Sequence, residues 1–348
     1  MSVFIIITLI VLVFIIIYQI SKASEYATVL RGQEKMNAQA NRAIAWLLVI
    51  MFILGMWGIW ECNELFKGRL LPKAACRTGE NYDSMFNYTI AVTGFVFFLT
   101  QGILFWFCFR FQSTDKRTTF FFAHNNKLEL IWTTIPAIAM AILVAIGLRN
   151  WYDVTSPAPA NATVVEVVGK QFNWLIRYPG ADNELGKRDF RKISDANNVL
   201  GLDWSDPHNQ DDIISQNGEL HVVVNKPVKL LICSRDVIHD VGLPHFRLKM
   251  DAVPGITTTL WFVPTITTAE MKKITNNPDF VYEIACDQLC GKGHYSMRGT
   301  VIVQTQAEYD AWMLMQQAYS IGNNPATPAP AETKPAPKTD SVKAVTMK

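Results

Sequence analysis

Four stretches of this chain run 18 residues or more without a charged side chain: 3–20, 43–60, 85–109 and 130–148. They constrain its fold more than any other feature. A helix rises about 1.5 Å per residue, so about 18 residues nearly cross a hydrocarbon core of about 30 Å. Half of the 348 residues are hydrophobic and only 18% are charged, which fits a membrane protein with a polar domain attached. Trp57 and Trp60 close the second run, where the membrane interface favours aromatics. Pro136 interrupts the fourth run, and a spanning helix tolerates that through compensating contacts. Four such runs exclude buried core helices as the general reading.

The first run lacks the preceding basic residue that a signal peptide needs, although Ser21-Lys22-Ala23 offers small residues for cleavage. Segments 21–42, 61–84 and 110–129 each carry four Lys or Arg, so charge bias does not set the orientation. The net charge of +2 and the absence of a basic run exclude nucleic acid as a partner.

Residues 149–160, with Pro157 and Pro159, read as a linker. Beyond it the pattern becomes strand-like. Segments 163–168, 172–178, 219–225, 228–233, 257–263 and 298–304 are rich in Val, Ile, Thr and aromatics. Short strands separated by Pro, Gly and Asn predict a Greek-key β-sandwich or barrel, making the chain membrane-anchored α plus all-β. The polar segments 179–218 and 264–280 read as surface insertions. Thr305-Gln306-Ala307-Glu308 predicts a capping box opening a helix to about Tyr319. The Pro/Ala-rich segment 323–348 reads as a disordered tail.

The chemistry concentrates in Cys286-x3-Cys290-x3-His294-x2-Met297, with His239 upstream. Soft sulfur with imidazole selects copper over hard cations, and two Cys, two His and one Met suffice for two copper ions bridged by both sulfurs. Zinc would have no use for Met297, and zinc fingers favour another spacing. A Cys286–Cys290 disulfide would leave the His and Met unexplained. Cys62 and Cys76 are a second pair able to bridge if both lie outside the cytosol, and Cys108 reads as a buried thiol. No C-x-x-C-H haem attachment occurs, so the chain itself carries no haem.

This motif, with His239 and Lys249-Met250-Asp251-Ala252-Val253-Pro254-Gly255, resembles the dinuclear copper A domain of cytochrome c oxidase subunit II over about residues 85–305. The resemblance implies a cupredoxin fold. It implies bridging Cys286 and Cys290, terminal His239 and His294, a weak ligand Met297 and the backbone carbonyl of Gln288. It also implies electron transfer from cytochrome c to haem in subunit I, where oxygen is reduced and protons are pumped. Partners would be subunit I, other oxidase subunits, a cytochrome c or cytochrome c-bearing complex, and membrane lipid.

Residues 85–150 would be the family's two-helix hairpin and 1–84 two extra helices. Residues 151–322 would be the copper domain on the periplasmic side of a bacterial inner membrane. Parity then requires the first helix to be retained. Glu129, three residues before Trp132, would lie at the mouth of a proton channel feeding subunit I.

Two departures stand out. Many relatives place Glu at the position of Gln288 to reach a magnesium or manganese shared with subunit I, and a neutral amide is a weaker ligand for a hard cation. Phe172, in Gln171-Phe172-Asn173-Trp174, replaces the Trp through which electrons come in, while Trp174 reads as a packed core residue. His245 is a spare imidazole six residues after His239; His124, His208 and His221 have no evident partners. Asp236, Asp240, Asp251 and Glu283 could attract a basic cytochrome or merely be solvated. A quinol oxidase subunit would have lost the copper ligands, and nitrous oxide reductase would need a propeller domain. A membrane-anchored copper-delivery protein is the remaining alternative, but it has no need of the hairpin with Glu129 and Trp132.

Overall fold

The computed structural model describes residues 2–67, 71–112, 120, 122–320 and 323. The tail predicted to be disordered thus lies, Asn323 apart, outside the described residues. Contacts divide the chain into two units, 1–71 with 86–143, and 72–85 with 144–348.

Four long helices account for the apolar runs: α1 (Ser2–Arg31), α2 (Gln33–Leu65), α3 (Gly79–Arg110) and α4 (Asn126–Thr155). Each is long and apolar enough to cross a membrane. Most of their described apolar side chains are exposed, as hydrocarbon-facing helices require. Within the first unit, aromatic contacts join α2 to α3, with Phe52 against Phe97 and Phe105, and Trp46 against Phe109. The polar stretch 21–42 is not a loop. It stays helical except at Gly32, whose φ of +87° is open to glycine without a Cβ penalty. The expected linker 149–160 also differs, because α4 continues to Thr155 and Val154 is buried in the core of the second unit.

Ten strands follow among the described residues: β1 (Thr163–Lys170), β2 (Asn173–Tyr178), β3 (Ile213–Ser215), β4 (Glu219–Val223), β5 (Val228–Ser234), β6 (His239–Leu243), β7 (Leu248–Ala252), β8 (Thr258–Phe262), β9 (Tyr282–Cys286) and β10 (Arg298–Gln304). They form two five-stranded sheets, ordered β3-β2-β1-β5-β8 and β4-β10-β9-β6-β7. The β1–β5 and β4–β10 pairs are parallel and the other pairs antiparallel. Side chains alternate across a strand, so Val165, Val167, Trp174 and Ile176 fill the space between the sheets with Leu220, Val241, Ile284 and Val301. This is a cupredoxin-like sandwich.

The insertions do more than ride on the surface. Strand β1 is buried on both faces, because 179–218 folds over the outside of the first sheet. Val199, Leu200 and Leu202 pack there on Val168, Leu175 and Cys233. Residues 264–280 contain α5 (Thr268–Ile274), opened by a Thr267–Glu270 capping box and anchored by buried Met271. The expected capping box at Thr305 and Glu308 opens α6 (Gln306–Leu314), shorter than the sequence suggests. Trp312 of α6 stacks on buried His221 with centroids 3.9 Å apart, and burial pushes the His221 imidazole pKa down.

Segment 72–85 is stitched to this sandwich. Ala75 N–H donates to the His245 carbonyl at 2.7 Å, and Arg247 pairs with Asp83 at 2.7 Å. The Cys76 thiol is buried and donates to the Phe246 carbonyl at 3.0 Å, and burial pushes its pKa up. Cys62 and Cys76 are both free thiols, with Cys62 exposed and Cys108 half-buried.

Candidate metal centre

The site lies where β9 ends and β10 begins. Cys286 is the last residue of β9, Met297 immediately precedes β10, and the loop between them includes a tight turn at His294–Ser296. His239 opens β6, which pairs with β9 so that Val241 faces Cys286. Sheet pairing therefore brings residues 47 apart in sequence into contact.

His239 and Met297 are fully buried, and Cys286 and Cys290 nearly so. His239 Nδ1 lies 3.7 Å from Cys286 Sγ, which lies 3.8 Å from Cys290 Sγ, which lies 3.8 Å from His294 Nδ1. Met297 Sδ is 3.8 Å from Cys290 Sγ, and the Gln288 carbonyl is 3.1 Å from Cys286 Sγ. The sulfurs are far beyond the about 2.05 Å of a disulfide. Burial, then the neighbouring Cys286, pushes the Cys290 thiol up to about 11, so metal must displace a proton to bind there. His239, Cys286 and Cys290 form the one group of three metal-capable side chains among the described residues. Thiolate, imidazole and thioether donors together suit copper, and nothing in the set suits a hard cation.

Three residues that the motif does not contain shape this site. Asp236 Oδ1 accepts from His239 Nε2 at 2.8 Å. Gln171 donates its backbone N–H to Asp236 Oδ2 at 2.8 Å and its side-chain amide to the Cys290 carbonyl at 2.6 Å. Gly169 leaves room for the imidazole, since a Cβ there would stand 2.6 Å from His239 Cδ2. The Asp-x-x-His spacing was the available sequence signal for the first; nothing in sequence marked Gly169.

Without metal only packing and the Asp236 hydrogen bond hold His239, so its side chain can give way to an added methyl further than it can as a ligand. Overpacking costs about 1–3 kcal/mol, so Gly169→Ala is expected to lower copper affinity about 10-fold or more. An equilibrium copper titration checks this, and an unchanged affinity would mean that the ring has slack.

Phe172 is half-buried with its ring against the ligand loop, where a Cβ on Gly293 would meet it at 2.5 Å. Trp174 is fully buried in the core. Gln288 turns its side chain to solvent while its carbonyl faces Cys286. Glu129 is exposed in the first turn of α4 and accepts from Asn125 N–H at 3.4 Å; Trp132 is exposed on the same helix. His245 sits apart from the metal group, edge-on against the rings of Phe280 and Tyr282. His208 pairs with Asp182 at 2.6 Å, and His124 is exposed.

The acidic residues do different things. Asp240 is buried opposite Asp251 across β6 and β7, and burial, reinforced by Asp251, pushes it up to about 7. Glu283 pairs with Arg298 at 3.3 Å.

A cupredoxin-like copper-binding domain following four membrane-capable helices defines the class of protein. Residues 61–150 match the family described as cytochrome C oxidase subunit II, transmembrane domain, and 163–306 match its periplasmic domain. The alternative cytochrome c oxidase subunit 2 of Bradyrhizobium diazoefficiens is 40% identical over 240 residues, covering 68% of this chain and 81% of that protein. The cytochrome c oxidase subunit 2 of Thermostichus vulcanus is 28% identical over 343 residues, covering 82% of this chain and 89% of its own. A crystal structure of the periplasmic domain of cytochrome oxidase subunit II from Bradyrhizobium japonicum is 26% identical, covering 45% of this chain and 94% of that one, with a TM-score of 0.30. The chain belongs to the cytochrome c oxidase subunit II family.

Proposed function

We propose that this subunit takes single electrons from a cytochrome c, or a complex bearing one, and delivers them to haem in subunit I. His239, Cys286, the Gln288 carbonyl, Cys290, His294 and Met297 would hold a dinuclear copper A centre. A copper pair supplies one-electron uptake and release with the charge shared over both metals.

The observation that carries the reading is the order of donors. Two sulfurs stand in the middle, each with its own imidazole outside, in steps of 3.7, 3.8 and 3.8 Å. A mononuclear copper site of two imidazoles, one thiolate and a weak thioether leaves the second sulfur unused. Burial of His239, Cys286, Cys290 and Met297 keeps water from those donors, and the β6–β9 pairing fixes His239 and Cys286 before metal arrives, which limits movement on electron transfer.

Phe172, lying on the ligand loop, would be the point of electron uptake. Glu129 would stand at the mouth of a proton path feeding subunit I. The exposed amide of Gln288 would offer no side-chain ligand to a magnesium or manganese shared with subunit I. The copper domain would face the periplasm from a bacterial inner membrane, with the four helices as its anchor and as the contact with other oxidase subunits.

The test is the full chain, purified in detergent and loaded with copper, read by metal content and electron spin resonance. Two coppers per chain with one electron spread equally over both nuclei, a seven-line pattern, is the expected result. One copper with a four-line spectrum would overturn this reading in favour of copper delivery. The excised segment 158–322 is a poor substitute, because it lacks Ala75, Cys76 and Asp83 of the stitched segment.

A further inference from the structure

We propose that Asp236 and Gln171 form a positioning clamp that holds His239 and the Cys290 loop in one fixed relation and thereby sets the copper affinity and reduction potential. The inference rests on the copper reading above and concerns two residues that lie outside the donor set.

His239 turns Nδ1 toward Cys286 at 3.7 Å, which leaves Nε2 as the outward nitrogen. With Nδ1 giving its lone pair to metal, Nε2 carries the proton and donates it to Asp236 Oδ1 at 2.8 Å. The second carboxylate oxygen accepts the Gln171 backbone N–H at 2.8 Å, and the Gln171 side chain reaches the Cys290 carbonyl at 2.6 Å. The path His239–Asp236–Gln171–Cys290 thus closes behind the donors and joins a ligand on β6 to a ligand in the β9–β10 loop. Sheet pairing alone does not provide that link, because Cys290 lies outside every strand.

Simple satisfaction of buried groups does not account for these bonds. Gln171 is exposed and water would satisfy its amide, yet both of its donors are turned inward. The Asp236 side chain is itself anchored, as Oδ1 also accepts Val237 N–H at 2.8 Å. A carboxylate fixed in this way orients the imidazole and raises its basicity toward metal. Its negative charge also favours the more positive, oxidised centre, so loss of that charge raises the potential.

The experiment compares Asp236→Ala, Asp236→Asn and Gln171→Leu in the full chain, by copper titration, spin resonance and redox titration. The wild-type spectrum is read first. Absence of the paired signal there overturns the copper reading itself, whereas a wild-type pair with unmoved variants overturns only the clamp.

Asp236→Ala is expected to lower copper affinity about 10- to 100-fold and to raise the potential. Asp236→Asn keeps an acceptor for Nε2–H, so it is expected to retain the seven-line pattern while its potential rises. Gln171→Leu, which leaves the charge in place, is expected to weaken copper binding with a smaller change in potential. Affinity and potential unchanged in all three variants would overturn the clamp. If Asp236→Ala does not fold, the potential of Asp236→Asn decides: a raised value supports the clamp and an unmoved one overturns it.

Discussion

Cys286→Ser is expected to abolish the paired copper signal and its colour, leaving about one copper per chain or none. A serine hydroxyl stays protonated near neutral pH and is a hard donor, so it cannot take the place of a soft bridging anion. Cys286 is also the residue through which the two halves of the site meet. It stands between His239 at 3.7 Å and Cys290 at 3.8 Å, with the Gln288 carbonyl at 3.1 Å. Serine leaves the β9 backbone and its pairing with β6 intact, so the loss is chemical rather than architectural. Met297→Leu is the contrasting substitution. It removes a weak donor from one edge, keeps the volume, and is expected to retain both coppers with a changed potential. Copper content and spin resonance of the two variants check the pair of outcomes. A two-copper spectrum in Cys286→Ser would sink the ligand assignment.

The Cys-x3-Cys-x3-His-x2-Met run could be read as one loop because its flanks and chemistry are local. Its partner His239 was harder to place. Strand β6 reads His-Asp-Val-Gly-Leu, a poor strand by propensity, and is held by pairing on both sides with β7 and β9. The short β3, and β7 and β9 with their interspersed charges and alanines, were hidden for similar reasons. Six strands with dense Val, Ile and Thr were legible. Polar composition misled in the other direction. Segment 21–42 is helical, sustained by pairs such as Lys22 with Glu25 at 2.8 Å. Segment 179–218 conceals Val199, Leu200 and Leu202 among its charges, and only tertiary packing shows them covering a sheet. Gly169 and Gln171 escaped because close approach and hydrogen bonding across strands leave no periodic trace.

Arg177→Ala is expected to cost the extramembrane domain about 3–5 kcal/mol, the usual penalty for leaving buried charges unpaired. The guanidinium is almost fully buried in β2 and uses its whole fork. It donates to Asp212 at 2.9 Å, to Glu166 on the facing strand β1 at 3.1 Å, and to the Gly186 carbonyl and Asn209 at 2.7 Å each. Asp212, Gly186 and Asn209 belong to the 179–218 insertion, so one side chain pins that cover to the first sheet. Burial pushes the Asp212 carboxyl up to about 6 even with Arg177 opposing it. Without Arg177, which lowers it, the Asp212 carboxyl would be held still higher. A carboxyl whose folded pKa lies above its unfolded value binds more protons when folded, so stability falls as pH rises through that range. The deficit of Arg177→Ala is therefore expected to be largest near pH 8 and to shrink toward pH 5. Urea unfolding of the full chain in detergent, followed by tryptophan fluorescence at both pH values, measures it. Arg177→Lys keeps the charge but not the fork, and belongs between the two. A loss below about 1 kcal/mol, or one indifferent to pH, would mean that the insertion is held by its apolar contacts alone. The consequence reaches the metal. Strands β1 and β2 carry Gly169 beneath His239 and, in the turn between them, Gln171 and Phe172 against the ligand loop. A network that contains no copper donor thus holds the wall against which the donors are set.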